Sequence, residues 1–336
     1  MVDTESFSEQ RDRLRREIPA VTPDSFESLA LRIFRFQATY NPVYRKYVET
    51  LGRDPSSVNR LEHIPFLPIA FFKTHRVVTG DRQGQVFESS GTTGTTTSRH
   101  EVYDLSLYEE ISVRIFEENY GPLENFHILA LLPSYLERNN SSLVYMVQHF
   151  MQKSDSAYSG FYLDDFDALN RKLTALASRR DQRKILLIGV TFALLDWVEK
   201  LPEQWPELMV METGGMKGRR KELLRQEVHE ILKSSLGVSA IHSEYGMTEL
   251  VSQAYSSGEG IFNTVATLRI LIRDITDPFS FCDAGVTGGV NIIDLGNLDS
   301  CSFIETSDLG RTNGDTFEIM GRIDNSDIRG CNLLYV

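Results

Sequence analysis

Apolar and polar positions follow three textures along the chain. From Ser8 to about Gly52 the pattern is helical: Phe26, Leu29, Ile33 and Phe34 recur at three- and four-residue steps behind a Pro23-Asp24 start signal. Phe36, Tyr40, Tyr44 and Tyr47 continue the series with aromatic rings, and Pro42 interrupts it, so a break between two helices is expected there. A helical layer packed on the main body accounts for these rings, with an acyl-binding role as the alternative. Ile64 to Lys73 is apolar but holds Pro65 and Pro68, which excludes a long helix and predicts an extended piece crossing the core.

The second texture alternates strands and helices. Gln85 to Glu88 is β-like, and Leu105 to Asn119 reads as an amphipathic helix. Strands are predicted at Phe126 to Leu132, Ser159 to Leu163, Lys184 to Val190, Glu207 to Glu212 and Val238 to His242. Helices are predicted at Ser142 to Lys153, Asp164 to Arg179, Phe192 to Leu201 and Arg219 to Ser235. Such alternation points to an α/β fold with a doubly wound parallel sheet. Past Leu250 the third texture begins. Thr264 to Arg273, Gly288 to Asp294, Cys301 to Thr306 and Thr316 to Met320 are short β-like runs between Gly, Asp and Asn, as in a small antiparallel sheet or distorted barrel. The expected division is an N-terminal helical layer over 1–62, a core over 63–320 and a tail over 321–336.

Composition narrows the classes. The 336 residues carry a net charge of −12, which argues against a nucleic-acid or anionic-membrane surface. No run of about 18 apolar residues predicts a membrane span, and the charged N-terminus does not resemble a secretory signal. Three cysteines, Cys282, Cys301 and Cys331, form no C-x-x-C pair and suit a reduced, cytoplasmic compartment.

Five glycine-bearing polar stretches lie between these elements. In Ser89-Ser90-Gly91-Thr92-Thr93-Gly94-Thr95-Thr96-Thr97-Ser98-Arg99-His100, small side chains let backbone N–H groups approach a phosphate and add hydroxyl donors. On composition alone a solvated linker also fits. His242-Ser243-Glu244-Tyr245-Gly246-Met247-Thr248-Glu249 follows a strand, where α/β sheets bind ligands. There Tyr245 can stack on a base and Glu249 offers oxygen to a hard cation such as Mg²⁺; a strand–turn–helix link capped by Thr248 is the alternative. Glu212-Thr213-Gly214-Gly215-Met216-Lys217-Gly218-Arg219-Arg220 combines a close-approach glycine pair with a basic helix start. In Thr306-Ser307-Asp308-Leu309-Gly310-Arg311 and Gly321-Arg322-Ile323-Asp324 an aspartate can accept from ribose hydroxyls and an arginine can reach ribose or phosphate oxygen. Each of these two is also a plausible hairpin turn.

Together, in order and spacing, the five stretches resemble the adenylate-forming superfamily of acyl-CoA synthetases, phenylacetate-CoA ligases and adenylation domains. Ser90-Gly91-Thr92-Thr93-Gly94 is similar to the family's phosphate loop and Tyr245-Gly246-Met247-Thr248-Glu249 to its Y-G-x-T-E motif. Asp308 stands at the place of its ribose-binding aspartate, and Gly321-Arg322-x-Asp324 is similar to its G-R-x-D hinge. Thr95 to Arg99 replace the usual Pro-Lys. Six residues follow Gly330 where the usual enzymes carry a lid domain with a catalytic lysine, so that lid is expected to be absent. Short members of this kind are acyl-protein synthetases of the LuxE type, which Leu131-Leu132-Pro133-Ser134-Tyr135 and Ile328-Arg329-Gly330-Cys331 also resemble.

The resemblance implies a fold like the N-terminal domain of those ligases. It implies an enzyme that uses ATP and Mg²⁺ to turn a carboxylic acid, a fatty acid in that family, into acyl-AMP. The acyl group would then pass to the protein's own cysteine and on to an acyl-accepting protein, a reductase or acyl carrier protein. By position, Ser90, Gly91, Thr92, Thr93 and Gly94 would cradle the phosphates. Gly214, Gly215, Glu244, Tyr245, Gly246, Met247 and Thr248 would frame the nucleotide, and Asp308 with Arg322 the ribose. Glu249 would hold the metal, Arg99 would stand in for the missing loop lysine, and Cys331 would accept the acyl group, with Arg329 favouring its thiolate. Two further readings fit the same residues: a ligase that transfers to CoA or a carrier-protein thiol, and a non-catalytic acyl-AMP- or nucleotide-binding subunit.

Overall fold

The computed structural model describes residues 5–89, 97–132, 140–179, 181–200, 204–215 and 223–323. The N-terminal helical texture becomes α1 (Phe7–Glu17), α2 (Pro23–Tyr40) and α3 (Pro42–Thr50). Ser6 and Glu9 close a capping box on α1. Pro42 marks the break between two helices by opening α3 at its first position, where a missing N–H costs nothing. The Asn41 side chain before it accepts from the N–H groups of Val43 and Tyr44 at 3.1 and 3.0 Å. The proline-bearing stretch yields a two-residue strand, β1 (Leu67–Pro68), and a single turn, α4 (Phe71–Thr74).

Gln83–Phe262 form one compact unit. It begins with an antiparallel hairpin, β2 (Gln85–Glu88) and β3 (Arg99–Val102). Then follow α5 (Leu105–Tyr120), β4 (Phe126–Leu131), α6 (Ser142–Ser154), β5 (Gly160–Tyr162), α7 (Phe166–Ala177) and β6 (Lys184–Gly189). The unit continues through α8 (Thr191–Val198), β7 (Met209–Glu212), α9 (Arg225–Leu236), β8 (Ile241–Tyr245), β9 (Ala254–Ser256) and β10 (Ile261–Asn263), whose last residue lies just beyond the unit. The sheet runs in the order β5-β4-β6-β7-β8-β9, parallel except for β9. Every residue of β4 is buried, so the sheet is covered on both faces and the doubly wound α/β class holds.

Two differences from the sequence pattern matter for the site. β8 runs to Tyr245 rather than stopping at His242, because β7 and β9 pair its polar residues. No helix follows Thr248; the chain turns back as β9, so a helix cap at Thr248 is not what forms. In addition, α9 begins at Arg225 rather than Arg219, and residues 216–222 lie outside the described residues.

The residues up to Arg82 and those from Asn263 onward form the other unit. Its strands β11 (Leu268–Arg273), β12 (Gly288–Asp294), β13 (Phe303–Asn313) and β14 (Thr316–Arg322) pair antiparallel in sequence order, and β1 joins parallel to β13. The N-terminal helices pack on these strands. Phe34, Tyr44 and Phe66 surround Phe303 at ring separations of 5.9, 6.0 and 6.4 Å. Tyr44 is fully buried and donates to the Pro65 carbonyl at 2.6 Å. Tyr44 of the aromatic series is thus a core ring. Among the described residues no helix is long and apolar enough to cross a membrane.

Candidate active site

β7 ends on Glu212, which is 3% exposed. Its carboxylate ties together three strand ends. Oε2 accepts from the Gly214 N–H at 2.7 Å and from the Thr191 hydroxyl at 3.0 Å, at the start of α8. Oε1 accepts from the Ser243 hydroxyl on β8 at 2.7 Å and faces Arg225 Nε at 3.5 Å and His229 Nε2 at 3.6 Å on α9. Burial pushes this carboxyl up, but His229, Arg225, Ser243 and the Gly214 N–H outweigh it and hold it at about 2. Gly214 and Gly215 sit at φ values of +72° and +90°, which glycine alone adopts cheaply. Their carbonyls accept from the Thr191 and Phe192 N–H groups at 3.1 and 3.3 Å. The glycine pair is therefore pinned from both sides. The hydroxyl of Thr213 between them and β7 is buried without a partner among the described residues.

The pleat of β8 turns alternate side chains to opposite faces. Ser243 and Tyr245 share the Glu212 side. Tyr245 is 7% exposed, with its ring 5.8 Å from that of Phe262, and the Arg225 guanidinium lies 5.1 Å from the same phenyl ring. Glu244 turns the other way, and its carboxyl lies over Gly246, so a Cβ there would fall on it. Burial and the Glu212 charge push the Glu244 carboxyl up to about 8. Burial, then His229 and Lys184, push His242 down.

The hairpin brings the first stretch to the second. The Ser89 N–H donates to the Ser98 carbonyl at 3.0 Å, and the Ser98 N–H donates to the Ser89 hydroxyl at 2.9 Å. Ten residues' span is thereby closed at its base. His100, 1% exposed on β3, donates from Nδ1 to the Thr248 carbonyl at 2.8 Å. That bond joins the exit of the loop to the Y-G-x-T-E stretch. Sequence reasoning assigned no role to His100, Glu212 or Arg225, because their partners lie far away in the chain. Ser90, Gly91, Thr92, Thr93, Gly94 and Cys331 lie outside the described residues, as do Arg329 and Gly330.

Arg99 is exposed and pairs with Glu88 across the hairpin at 3.3 Å. Met247 and Thr248 are half-buried, and Glu249 is 6% exposed. Among the described residues no three His, Cys, Asp or Glu side chains are grouped as a metal cage. One buried carboxylate suits a Mg²⁺ that takes its other oxygens from a triphosphate and water, so the donor chemistry fits the ion at Glu249. Cys301 is fully buried with its thiol pushed up to about 12 by burial, which makes it a poor nucleophile. A groove of about 600 Å³ between α5 and α6, lined by Glu109, Glu117, His149 and Lys153 among others, contains none of the predicted site residues.

In the other unit, Asp308 and Arg322 are opposed on β13 and β14, with Arg322 Nε 3.4 Å from Asp308 Oδ1. Both lie in strands rather than in the turns that were the alternative. β13 runs unbroken through Thr306 to Arg311, with a register shift between Leu309 and Gly310. Asp308 is 5% exposed, and its N–H donates to the Thr306 hydroxyl at 3.1 Å. The buried Arg273 guanidinium braces the same strand by donating to the Thr306 carbonyl at 2.8 Å.

Comparison with known proteins follows this geometry. The family model for the acyl-protein synthetase, LuxE, matches residues 24–335. No curated protein sequence matches the chain significantly. Among solved structures, an open conformation of 2-hydroxyisobutyryl-CoA ligase in complex with 2-HIB-AMP and CoA is 13% identical with a TM-score of 0.68. The match covers 91% of this chain and 72% of that one. ATP-bound MatB from Rhodopseudomonas palustris is 15% identical with a TM-score of 0.53, over 73% of this chain and 50% of that one. At these identities the likeness is one of fold: the chain has the fold of adenylate-forming ligases.

Proposed function

This chain belongs to the acyl-protein synthetase family LuxE, and from that premise we propose that it activates a carboxylic acid with ATP and passes the acyl group to a thiol. In the first step a carboxylate oxygen attacks the α-phosphorus, an acyl–O–P bond forms, and the bond to the β-phosphate breaks to release pyrophosphate. In the second a thiolate attacks the acyl carbonyl, a thioester forms, and AMP leaves with the electron pair of the broken C–O bond. The thiol assigned by the family resemblance is Cys331, and the acid is a fatty acid by the same resemblance.

The observation that carries this reading is the joining of β3 to the Thr248 carbonyl through His100, in the same unit in which Glu212 pins a glycine pair. A Ser/Thr/Gly loop closed at its base is thereby fastened to the strand end where a nucleotide would sit. Catalysis of this kind is positioning and charge stabilisation. Gly214, Gly215 and Tyr245 frame the base. By the family resemblance Asp308 of the other unit, with Arg322 beside it, would take ribose hydroxyls. The loop Ser90 to Gly94 meets the phosphates, with Arg99 as an added cation. Glu249 would hold Mg²⁺, which offsets the charge of the triphosphate when bound.

The test is ATP–pyrophosphate exchange with a panel of acids, read beside intact-protein mass. The wild type should exchange and gain one acyl mass. Cys331→Ser should keep exchange and lose the adduct; an adduct on the serine variant removes Cys331 as carrier. Glu249→Gln should slow exchange by about 100-fold or more; unchanged exchange removes Glu249 from the metal role.

A further inference from the structure

The hairpin that carries the Ser/Thr/Gly stretch has strands of four residues each, and a two-stranded ribbon of that size does not hold its own place. Two opposed inward side chains place it. On β2, Phe87 is 2% exposed, with its ring 6.0 Å from that of Tyr108 on α5 and 5.5 Å from that of Tyr145 on α6. On β3, the residue directly opposite is His100. Phe87 needs only to be buried. His100 is equally buried, and burying a polar ring costs free energy that a hydrocarbon side chain there would not. What the imidazole supplies is a directed bond, from Nδ1 to the Thr248 carbonyl, 148 residues further along the chain.

The choice of acceptor matters. That carbonyl belongs to the peptide joining Thr248 to Glu249, and a peptide is planar from one Cα to the next. Holding its oxygen fixes the plane from which the Glu249 Cα departs. No helix fixes it, since Thr248 and Glu249 lie in a turn closed by the Leu250 N–H on the Met247 carbonyl at 3.1 Å. Only two torsions separate Nδ1 from the β3 backbone, so the link is stiff. Two residues before His100, Ser98 is 3% exposed and closes the base of the loop through both of its bonds to Ser89. His100 therefore stands between the loop base and the Glu249 backbone, within one unit.

We propose that His100 is a positioning residue for the metal-dependent step. It ties the Glu249 peptide to the strand leaving the loop, so that carboxylate and loop meet the same magnesium-bound triphosphate. The inference rests on the activation reading above and adds to it a residue that acts through Glu249. Misplacing such a carboxylate by about 1 Å is worth about 100-fold in rate. A hydrocarbon at position 100 would fill the space and leave the peptide plane to turn.

The experiment compares His100→Leu, His100→Asn and His100→Gln with the wild type. An asparagine amide carries its N–H groups at the same remove from the backbone as Nδ1, a glutamine amide one bond further. ATP affinity is measured by calorimetry in Mg²⁺ and in EDTA, with ATP–pyrophosphate exchange beside it. His100→Leu and His100→Gln should lose about tenfold or more both in kcat and in the affinity gained from Mg²⁺, while ATP affinity in EDTA stays within about twofold of the wild type. His100→Asn should recover to within about threefold. In Glu249→Gln protein, adding His100→Leu should cost less than about twofold more, since the group it positions is gone. The contrast between asparagine and glutamine keeps the inference testable if the leucine variant does not fold. Losses that add in the double variant, an asparagine no better than glutamine, or ATP affinity lost equally with and without Mg²⁺ overturn the inference and leave the activation reading standing. Wild-type protein that binds ATP but exchanges with none of a panel of acids defeats the activation reading and this inference together.

Discussion

Glu212 stays ionised in the interior because Gly214, Thr191, Ser243, Arg225 and His229 all turn toward it. Its folded value, about 2, lies below the ordinary 4.5. Its contribution to stability is therefore complete above about pH 4.5 and is lost as the pH falls toward 2. Glu212→Gln should cost about 3 kcal/mol at pH 7, because it removes the buried charge that Arg225 and His229 face and that the Gly214 N–H and the Ser243 hydroxyl bond. By denaturant titration the gap between variant and wild type should narrow from pH 6 to pH 3, and a gap that ignores pH would refute the assignment. Glu244 runs the other way. Its value, about 8, lies above the ordinary 4.5, so the folded chain holds a proton that the unfolded chain releases, and stability falls as pH rises through that window. Glu244→Gln should match the wild type near pH 5 and exceed it near pH 9. Equal stability at both would mean that the carboxyl ionises freely.

At the scale of elements, what could be read in advance depended on whether a strand faced hydrocarbon. β4 and β6 were legible because nearly every position is apolar and buried. β3, with Arg99, His100 and Glu101, was not, since its fixed points are a hairpin partner and the Thr248 carbonyl. The end of β8 was missed for the same reason: Ser243 pairs with Glu212 and Ser256, and Glu244 with Tyr255. Asp308-Leu309-Gly310 spells a turn, yet it lies mid-strand because β12 and β14 hold it on both sides. Positions of the motif residues were thus legible, whereas the groups that set their geometry were not. α2 offers a test of the same logic. The Gln37 amide donates to the Asn297 and Leu298 carbonyls at 2.8 and 3.0 Å and accepts from the Ser302 N–H at 2.9 Å. Gln37→Ala should cost about 2–3 kcal/mol by thermal or urea unfolding, the price of orphaning the Leu298 carbonyl and the Ser302 N–H, since the Asn297 carbonyl keeps the Ser300 N–H at 3.1 Å. A loss under about 0.5 kcal/mol would show that water replaces the amide.

At the scale of the whole molecule, chain order and unit membership diverge. Gln83–Phe262 is continuous and owns its sheet, whereas the other unit is assembled from both sides of it. In that second unit Gln37, Asn41, Tyr44 and Arg11 reach Asn297, Ser300, Phe303 and Asp299 across more than 250 residues of sequence. Strands β11 to β14 without α1 to α3 would expose Phe303 and leave the Ser302 N–H unpaired. A fragment spanning 83–262 should therefore fold alone, and one spanning 263–323 should not. Both tryptophans of the sequence, Trp197 and Trp205, fall in the first fragment, the former fully buried and donating to Asn170 at 2.9 Å. Their emission should be blue-shifted in the isolated fragment and should move red in one cooperative urea transition. A gradual shift, or a solvent-exposed spectrum in buffer, would mean that the sheet needs the flanking chain to form. Chemical-shift dispersion in the 263–323 fragment would mean that the N-terminal helices only cover a sheet already made.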